Sequence, residues 1–142
     1  MITIETTSLL SELPVADHDL VALLTHVGAE EKAEIGHVTV ILGGHDLVRR
    51  LNVEYLEHDY NTDVLAFNLS EPDGPTEGEI YVDVETAQER HTEFDTTAAR
   101  EVARYAVHGL LHLVGYSDKT EDGQAEMRRL EDRYLTWLDD DT

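Results

Sequence analysis

Four short segments of the chain carry the hydrophobic pattern of β-strands. Residues 2–6 alternate apolar and polar side chains, as a half-buried strand does, and residues 37–42 are rich in β-branched side chains. Two further strand patterns cover residues 62–67 and 79–84, separated by a turn-forming segment of proline and glycine at 71–75. The pattern therefore predicts four strands, all within the first 84 residues.

Apolar residues at helical spacing predict five helices. Leucine and valine recur at this spacing over residues 17–27, where Gly28 is predicted to close the helix. The other helices are predicted over 46–54, over a short segment beyond Glu85, and over about 97–114 and 121–138. Because the strands come early and the longest helices late, we predict an α+β fold with a single mixed four-stranded sheet flanked by helices. At this length we expect residues 1–142 to form a single domain.

The composition fits a folded cytoplasmic protein with an unusual charge. Hydrophobic residues make up 41% of the chain, cysteine is absent, and no apolar run approaches the ~20 residues that a membrane helix needs. The first residues lack the basic start and apolar stretch of a secretory signal, so a cytoplasmic location is expected. Ten basic against 31 acidic residues give a net charge of −21. We interpret this as halophilic adaptation, because a salty cytoplasm screens repulsion between like charges.

The most informative segment of the chain is the apolar stretch YAVHGLLHLV at residues 105–114. Its only polar side chains are the tyrosine hydroxyl and the imidazoles of His108 and His112. A helix that is apolar on nearly all sides is typical of a protein interior, and residues four apart lie on one face. A buried imidazole needs a partner for each ring nitrogen, because an unpaired polar group in the interior costs free energy. A metal ion shared by the two histidines would meet that need in both.

A third metal ligand follows the two histidines after a turn. Gly115 is placed to end the helix and reverse the chain, which brings Asp118 near the pair. Two imidazoles and one carboxylate, with a fourth position open, form the ligand set of a catalytic zinc site. We therefore predict a metal-dependent hydrolase with one zinc ion per chain on His108, His112 and Asp118, although nickel, cobalt or iron would suit the same ligands. The alternative is that both histidines are core residues that hydrogen-bond backbone carbonyls.

Three blocks of the sequence resemble, in the right order, motifs of the YbeY family of bacterial endoribonucleases. Residues 108–118 are similar to the family signature HGxLHLxGYDH. Residues 51–67 resemble its segment LNxxYRxxDxxTDVLSF, and residues 78–80 resemble its Gly-Asp-Ile strand start. The resemblance covers roughly residues 45–138.

This resemblance implies a small α+β fold with one zinc ion and an activity on single-stranded RNA. It implies hydrolysis of a phosphodiester by metal-activated water, linked to ribosomal RNA maturation and ribosome quality control. The implied partners are ribosomal RNA and the ribosome, and no DNA or membrane partner is expected. Carried onto this chain, the family's ligands are His108, His112 and Asp118.

The chain departs from the family pattern at two positions. Asp118 stands where most members have histidine, and a carboxylate ligand lowers the net charge of the site by one. Leu56 stands where the family has an arginine that the resemblance implies holds phosphate, a task that suits the planar guanidinium group. We therefore interpret Arg49, Arg50 and Arg104 as candidates for substrate binding.

The residue that could act as general base distinguishes the possible activities. The protease pattern places glutamate directly after the first histidine, but this chain has Gly109 there, which argues against a metalloprotease. Asp63 is the candidate proton acceptor. The alternative is that Asp63 is a residue at the start of a strand whose side chain accepts hydrogen bonds from backbone amides. Asn61 and Thr62 are interpreted either as substrate-groove donors or as turn residues. The alternative function is a ribosome-associated RNA-binding factor with a structural metal and weak or no catalysis.

Overall fold

One mixed sheet of four strands forms the centre of the part of the protein that the structure describes. The computed structural model describes residues 1–6, 16–56 and 63–140, except for the side chains of residues 56 and 140. The strands are β1 (Ile2–Thr6), β2 (Ile35–Gly43), β3 (Val64–Asn68) and β4 (Thr76–Asp83). Their order across the sheet is β1-β2-β4-β3, in which β3 is antiparallel to β4 and the other neighbours are parallel. The predicted α+β fold with a single mixed sheet is confirmed.

Five helices of the described ranges flank this sheet. They are α1 (Asp17–Glu30), α2 (His45–Leu56), α3 (Val84–Arg90), α4 (Ala98–Leu113) and α5 (Glu121–Asp140), with a 3₁₀ turn at His91–Phe94. Strand β4 ends one residue earlier than predicted because the side chain of Asp83 accepts the backbone N–H of Thr86 and so begins α3. In the described part of the chain, none of the helices has the length and apolarity to cross a membrane.

The two faces of the sheet carry different helices. Successive residues of a strand point to opposite faces, so Ile80 and Tyr81 of β4 lie on different sides. The fully buried Ile80 faces α4, whereas Phe67 pairs in register with Glu79 and contacts both Tyr81 and the ring of Tyr55 on α2. Helices α2 and α4 therefore lie on opposite faces, and the main core fills the side of α4, α1 and α5.

Helix α4 lies unusually close to the sheet at Gly109. A β-carbon added at this glycine would lie 2.5 Å from Cγ2 of Ile80, which is closer than real β-carbons approach a neighbour. Glycine is the residue that permits such a close approach of backbone to side chain. This contact sets the depth at which the two histidines of α4 lie.

Helix α1 ends differently from the prediction. It runs past Gly28, which is buried inside the helix and packs against the side chain of Ile35. The chain reverses instead at Lys32, which has φ +56°. The N–H of Ala33 donates to the carbonyl of Gly28 and that of Lys32 to the carbonyl of Ala29, which is the hydrogen-bond pattern of a Schellman motif. The prediction that Gly28 closes the helix was wrong because this glycine serves packing rather than the turn.

A histidine outside the apolar stretch connects α2 to α3. The Nδ1 atom of His45 lies 2.6 Å from the buried carboxylate of Asp83, and its Nε2 lies 3.1 Å from the carboxylate of Glu89. Burial by itself lowers the pKa of His45, but the hydrogen bonds and charges of Asp83 and Glu89 outweigh it and raise that pKa above its ordinary value. The charged form of His45 therefore favours this arrangement of the two helices.

Candidate metal centre

The two histidines of α4 present the same ring nitrogen to the same point. The Nε2 atoms of His108 and His112 lie 3.0 Å apart, and the rings meet edge to face with their centroids 4.6 Å apart. This geometry follows from the four-residue spacing, which places the two side chains on consecutive turns of one helix face.

The turn after α4 brings a carboxylate to this point. Gly115 adopts φ +115°, and the N–H of Tyr116 donates to the carbonyl of Leu111, which completes a Schellman motif at the helix end. The chain then reverses, and Oδ2 of Asp118 lies 3.4 Å from Nε2 of His108 and 3.5 Å from Nε2 of His112. The structure thus brings together the three residues that the sequence pattern selected as metal ligands.

The protons on the two imidazoles can be assigned from the partners of their other ring nitrogens. Nδ1 of His108 lies 2.7 Å from Oε2 of Glu131, and Nδ1 of His112 lies 3.1 Å from the backbone carbonyl oxygen of Tyr116. An ionised carboxylate and a carbonyl only accept, so each Nδ1 carries the proton that it donates. In neutral rings both Nε2 atoms then present bare lone pairs to each other and to the Asp118 carboxylate. Such a cluster of acceptors requires a cation or an added proton among them.

The distances within this cluster fit a small divalent metal ion. Zinc binds histidine nitrogen and carboxylate oxygen at about 2.0–2.2 Å in tetrahedral geometry, which separates neighbouring ligand atoms by about 3.3–3.6 Å. The three observed separations, 3.0, 3.4 and 3.5 Å, lie near this range. Other first-row metals use the same ligands, so the donor set identifies a metal site more firmly than it identifies the metal.

Electrostatics at the site also favour a cation. Burial by itself lowers the pKa of His108, but its hydrogen bond to Glu131 and the charges of Glu131, Asp118 and Asp63 raise that pKa above its ordinary value. The surrounding carboxylates therefore stabilise positive charge at this imidazole. The same field stabilises a metal ion held by it.

The candidate metal centre opens into a cleft of about 810 Å³. Both His108 and Asp118 line it, so the cluster borders open space at these two ligands. A catalytic metal site keeps such an open position, whereas a structural site is closed by protein ligands. Four of the ten basic residues of the chain also line this cleft: Arg90, Arg100, Arg104 and Arg128.

Asp63, the predicted proton acceptor, lies in the same cleft. It immediately precedes β3, and its backbone carbonyl accepts the N–H of Asp83 at 2.9 Å. Burial raises the pKa of its carboxyl group, and the nearby His108 opposes this rise. The structure therefore places a partly desolvated carboxylate beside the first histidine, as a candidate proton acceptor requires.

The three arginines proposed to bind substrate are not brought together. Arg104 lines the cleft, but its guanidinium contacts Glu131 at 3.1 Å and Asp132 at 2.6 Å. Arg49 and Arg50 belong to α2, which lies on the other face of the sheet, and neither lines the cleft. Asn61, Thr62 and the side chain of Leu56 lie outside the described part of the chain.

Glu131 is the functional residue that sequence reasoning missed. It lies 23 positions after His108 and on another helix, so no local spacing links the two. It is only 7% exposed, and it stands beside Leu130 on the apolar face of α5, four residues after Met127. An acidic residue on the buried face of a helix is the signal that would have marked it, because a buried carboxylate needs a partner.

Comparison with known proteins gives the same family as the sequence motifs. A sequence profile of the family described as Endoribonuclease YbeY matches residues 8–139. The chain is 52% identical over 121 residues to an endoribonuclease YbeY of Salinibacter ruber, which covers 80% of this chain and 77% of the relative. It is 35% identical over 108 residues to an endoribonuclease YbeY of Chloroherpeton thalassium, and this match covers 76% of this chain and 76% of the relative. A Thermotoga maritima protein of known solution structure has the same fold with a TM-score of 0.62 and 32% identity, over 97% of this chain and 89% of its own. The chain therefore belongs to the YbeY family of endoribonucleases.

Proposed function

We propose that this chain is a zinc-dependent endoribonuclease that cleaves single-stranded RNA in the cytoplasm, during ribosomal RNA maturation and ribosome quality control. The proposal assigns one zinc ion per chain to His108, His112 and Asp118. Its main support is the convergence of three ligand atoms from α4 and the following turn, with separations of 3.0–3.5 Å, at the wall of an open cleft. The endoribonuclease YbeY relatives support the class of reaction.

Each residue near the centre has a distinct task in this proposal. His108 and His112 bind the metal through Nε2, while Glu131 and the Tyr116 carbonyl hold the protons on Nδ1 and so keep the rings in the binding tautomer. A divalent cation held by these residues would supply the Lewis acidity needed to activate water and to neutralise charge on a phosphodiester. A carboxylate oxygen of Asp63 accepts the proton that the attacking water loses. Asp63 thus serves as the general base, a role that Gly109, at the position of the protease glutamate, has no side chain to fill.

The negative charge of the protein makes salt a condition of this function. Thirty-one acidic residues repel an RNA strand, and the repulsion falls as salt shortens the screening length. Four arginines line the cleft; three of them form ion pairs, but together they are a local source of positive charge that supports contact with RNA and with the ribosome as the larger partner. We therefore expect activity to require high salt, as the halophilic interpretation of the composition implies.

The alternative, a ribosome-associated RNA-binding factor with a structural metal, differs from this proposal in one property. A structural metal is enclosed by protein ligands, whereas this cluster borders an open cleft. The open position favours catalysis. The absence of cleavage by a metal-loaded protein that still binds RNA would favour the binding factor.

The deciding experiment measures metal content and RNA cleavage in one set of proteins purified at high salt. We expect about one zinc per chain in the wild type, lost in Asp118→Ala together with cleavage of a single-stranded ribosomal RNA fragment. Asp122→Ala is the matched control, because it removes one exposed carboxylate from the first turn of α5 and none from the centre. A wild type without metal but with its fold intact would refute the proposed centre and leave the histidines as core residues.

A further inference from the structure

One face of α5 forms a wall of the cleft beside the candidate metal centre. Gln124, Arg128 and Asp132 are spaced four residues apart, so they lie along one side of the helix, and all three line the cleft. The Nε2 amide of Gln124 donates to the backbone carbonyl of Asp118 at 3.0 Å. Arg128 follows one helical turn later, about 6 Å along the axis. It is thus close to the segment that carries the third metal ligand.

Three of the four cleft arginines already have carboxylate partners. Arg104 pairs with Glu131 and Asp132, and its Nη2 atom lies 2.6 Å from Oδ1 of Asp132. Arg100 lies 2.7 Å from the carboxylate of Asp139, and Arg90 lies 3.1 Å from that of Glu93. Ion pairing reduces the positive charge that a guanidinium offers to a further ligand, because the carboxylate occupies some of its five N–H donors and partly cancels its field.

Arg128 differs from these three arginines. It is exposed and lies in the cleft, and it forms no ion pair within residues 1–6, 16–56 and 63–140. In the part of the chain that the structure describes, six carboxylate residues line the same cleft: Asp63, Asp95, Glu101, Asp118, Glu131 and Asp132. An RNA phosphate entering among them is repelled except where a cation is left unneutralised. Arg128 is the arginine of the cleft that meets this condition among the described residues.

We propose that Arg128 binds a backbone phosphate of the single-stranded RNA substrate and positions the strand at the candidate metal centre. This inference rests on the proposed endoribonuclease function and names the group that holds its substrate. The guanidinium suits the task because its planar fork can donate two parallel hydrogen bonds to phosphate oxygens. A role in metal binding is not part of the proposal, so zinc content should not depend on this side chain.

The adjacent arginine offers a matched control. Arg129→Ala and Arg128→Ala remove the same charge from neighbouring positions of α5, but Arg129 does not line the cleft and pairs with Glu126 at 2.7 Å. Both side chains are exposed, so both variants are expected to fold like the wild type. Far-UV circular dichroism and zinc content verify that the fold and the metal centre are unchanged.

The test measures binding of a fluorescently labelled single-stranded oligoribonucleotide over a series of salt concentrations, and its cleavage under the same conditions. Arg128→Ala is expected to weaken binding and lower kcat/KM about tenfold to hundredfold, and to reduce the slope of log affinity against log salt by about 0.7. Arg128→Lys should restore the slope but only part of the affinity, because lysine supplies the charge without the fork. Arg129→Ala should stay within about twofold of the wild type.

The outcomes separate this inference from the proposed function. A wild type that binds RNA without cleaving it would count against the nuclease, while a loss of binding in Arg128→Ala alone would still support the phosphate contact. Equal affinities and salt slopes for Arg128→Ala and Arg129→Ala would overturn the inference even if the wild type cleaves RNA. A wild type that neither binds nor cleaves the oligoribonucleotide at any salt concentration would overturn both.

Discussion

Replacing Glu131 with glutamine is expected to weaken zinc binding without unfolding the protein. The Oε2 atom of Glu131 accepts the Nδ1 proton of His108 at 2.7 Å, and its Oε1 accepts from Arg104 at 3.1 Å. The carboxylate fixes the tautomer of His108 and makes its Nε2 more basic toward a metal. Glutamine is nearly the same size and keeps one acceptor oxygen, so it can keep the hydrogen bond to His108, but it removes the charge and presents an amide N–H in place of the acceptor for Arg104.

The expected loss of zinc affinity depends on which interactions of Glu131 each substitution removes. Partners of this kind typically contribute about 10–100-fold to metal affinity. Because glutamine retains the hydrogen bond to His108, we place Glu131→Gln at the lower end, about tenfold or 1.4 kcal/mol. Glu131→Ala removes both oxygens and leaves Arg104 with Asp132 as its carboxylate partner, so we place it near the upper end, about hundredfold or 2.8 kcal/mol.

The assay is competition for zinc against a chromophoric chelator of known affinity. Glu126→Gln is the control, because it makes the same change of charge on the same helix at a residue that pairs with Arg129 rather than with a metal ligand. Circular dichroism in the presence of excess chelator confirms that each apo-protein is folded. Equal zinc affinities for Glu131→Gln and Glu126→Gln would refute the assigned role of Glu131.

Two further predictions concern stability. Gly109→Ala is expected to lower the free energy of unfolding by about 1–3 kcal/mol despite the better helix propensity of alanine, because the new β-carbon would lie 2.5 Å from Cγ2 of Ile80. Urea denaturation measures this change, and a rise in stability would show that the helix can move away from the sheet at no cost. For His45, burial lowers the pKa but Asp83 and Glu89 raise it overall, so its charged form stabilises the fold fully below the unfolded-state pKa of about 6.5 and loses this effect as pH rises through the folded-state pKa. The advantage in melting temperature of the wild type over His45→Asn should therefore shrink as the pH rises above about 6.5, and an advantage that is independent of pH would contradict the assignment.

Local patterns predicted the part of the candidate site that lies in one continuous segment. His108, His112, the glycine at 115 and the acid at 118 lie within eleven residues, and the geometry of the helix and of the turn that ends it relates them. Alternating and β-branched residues likewise predicted the four strands of the described residues, and apolar residues at helical spacing predicted the longer helices. Such features depend on interactions between near neighbours in sequence, which a pattern can represent.

Errors arose where a residue serves a distant contact. Gly28 is spaced like a helix stop, but it is a packing residue against Ile35, and a lysine occupies the left-handed position that ends the helix. Arg104 lies one turn before His108 as expected, but two carboxylates of α5 engage it. The type of a residue does not reveal its partner when that partner lies on another element.

The sequence by itself determined the family, through the resemblance of its three motif blocks. It also determined the α+β class and the three residues that could hold a metal, because these follow from short-range periodicity and from ligand chemistry. The tertiary structure decided the strand order β1-β2-β4-β3 and the depth of α4 on the sheet at Gly109. It also decided that Glu131 orients His108 and that Arg128 has no carboxylate partner among the described residues. These features depend on which elements pack together, and packing is a sum of long-range contacts that no local pattern encodes.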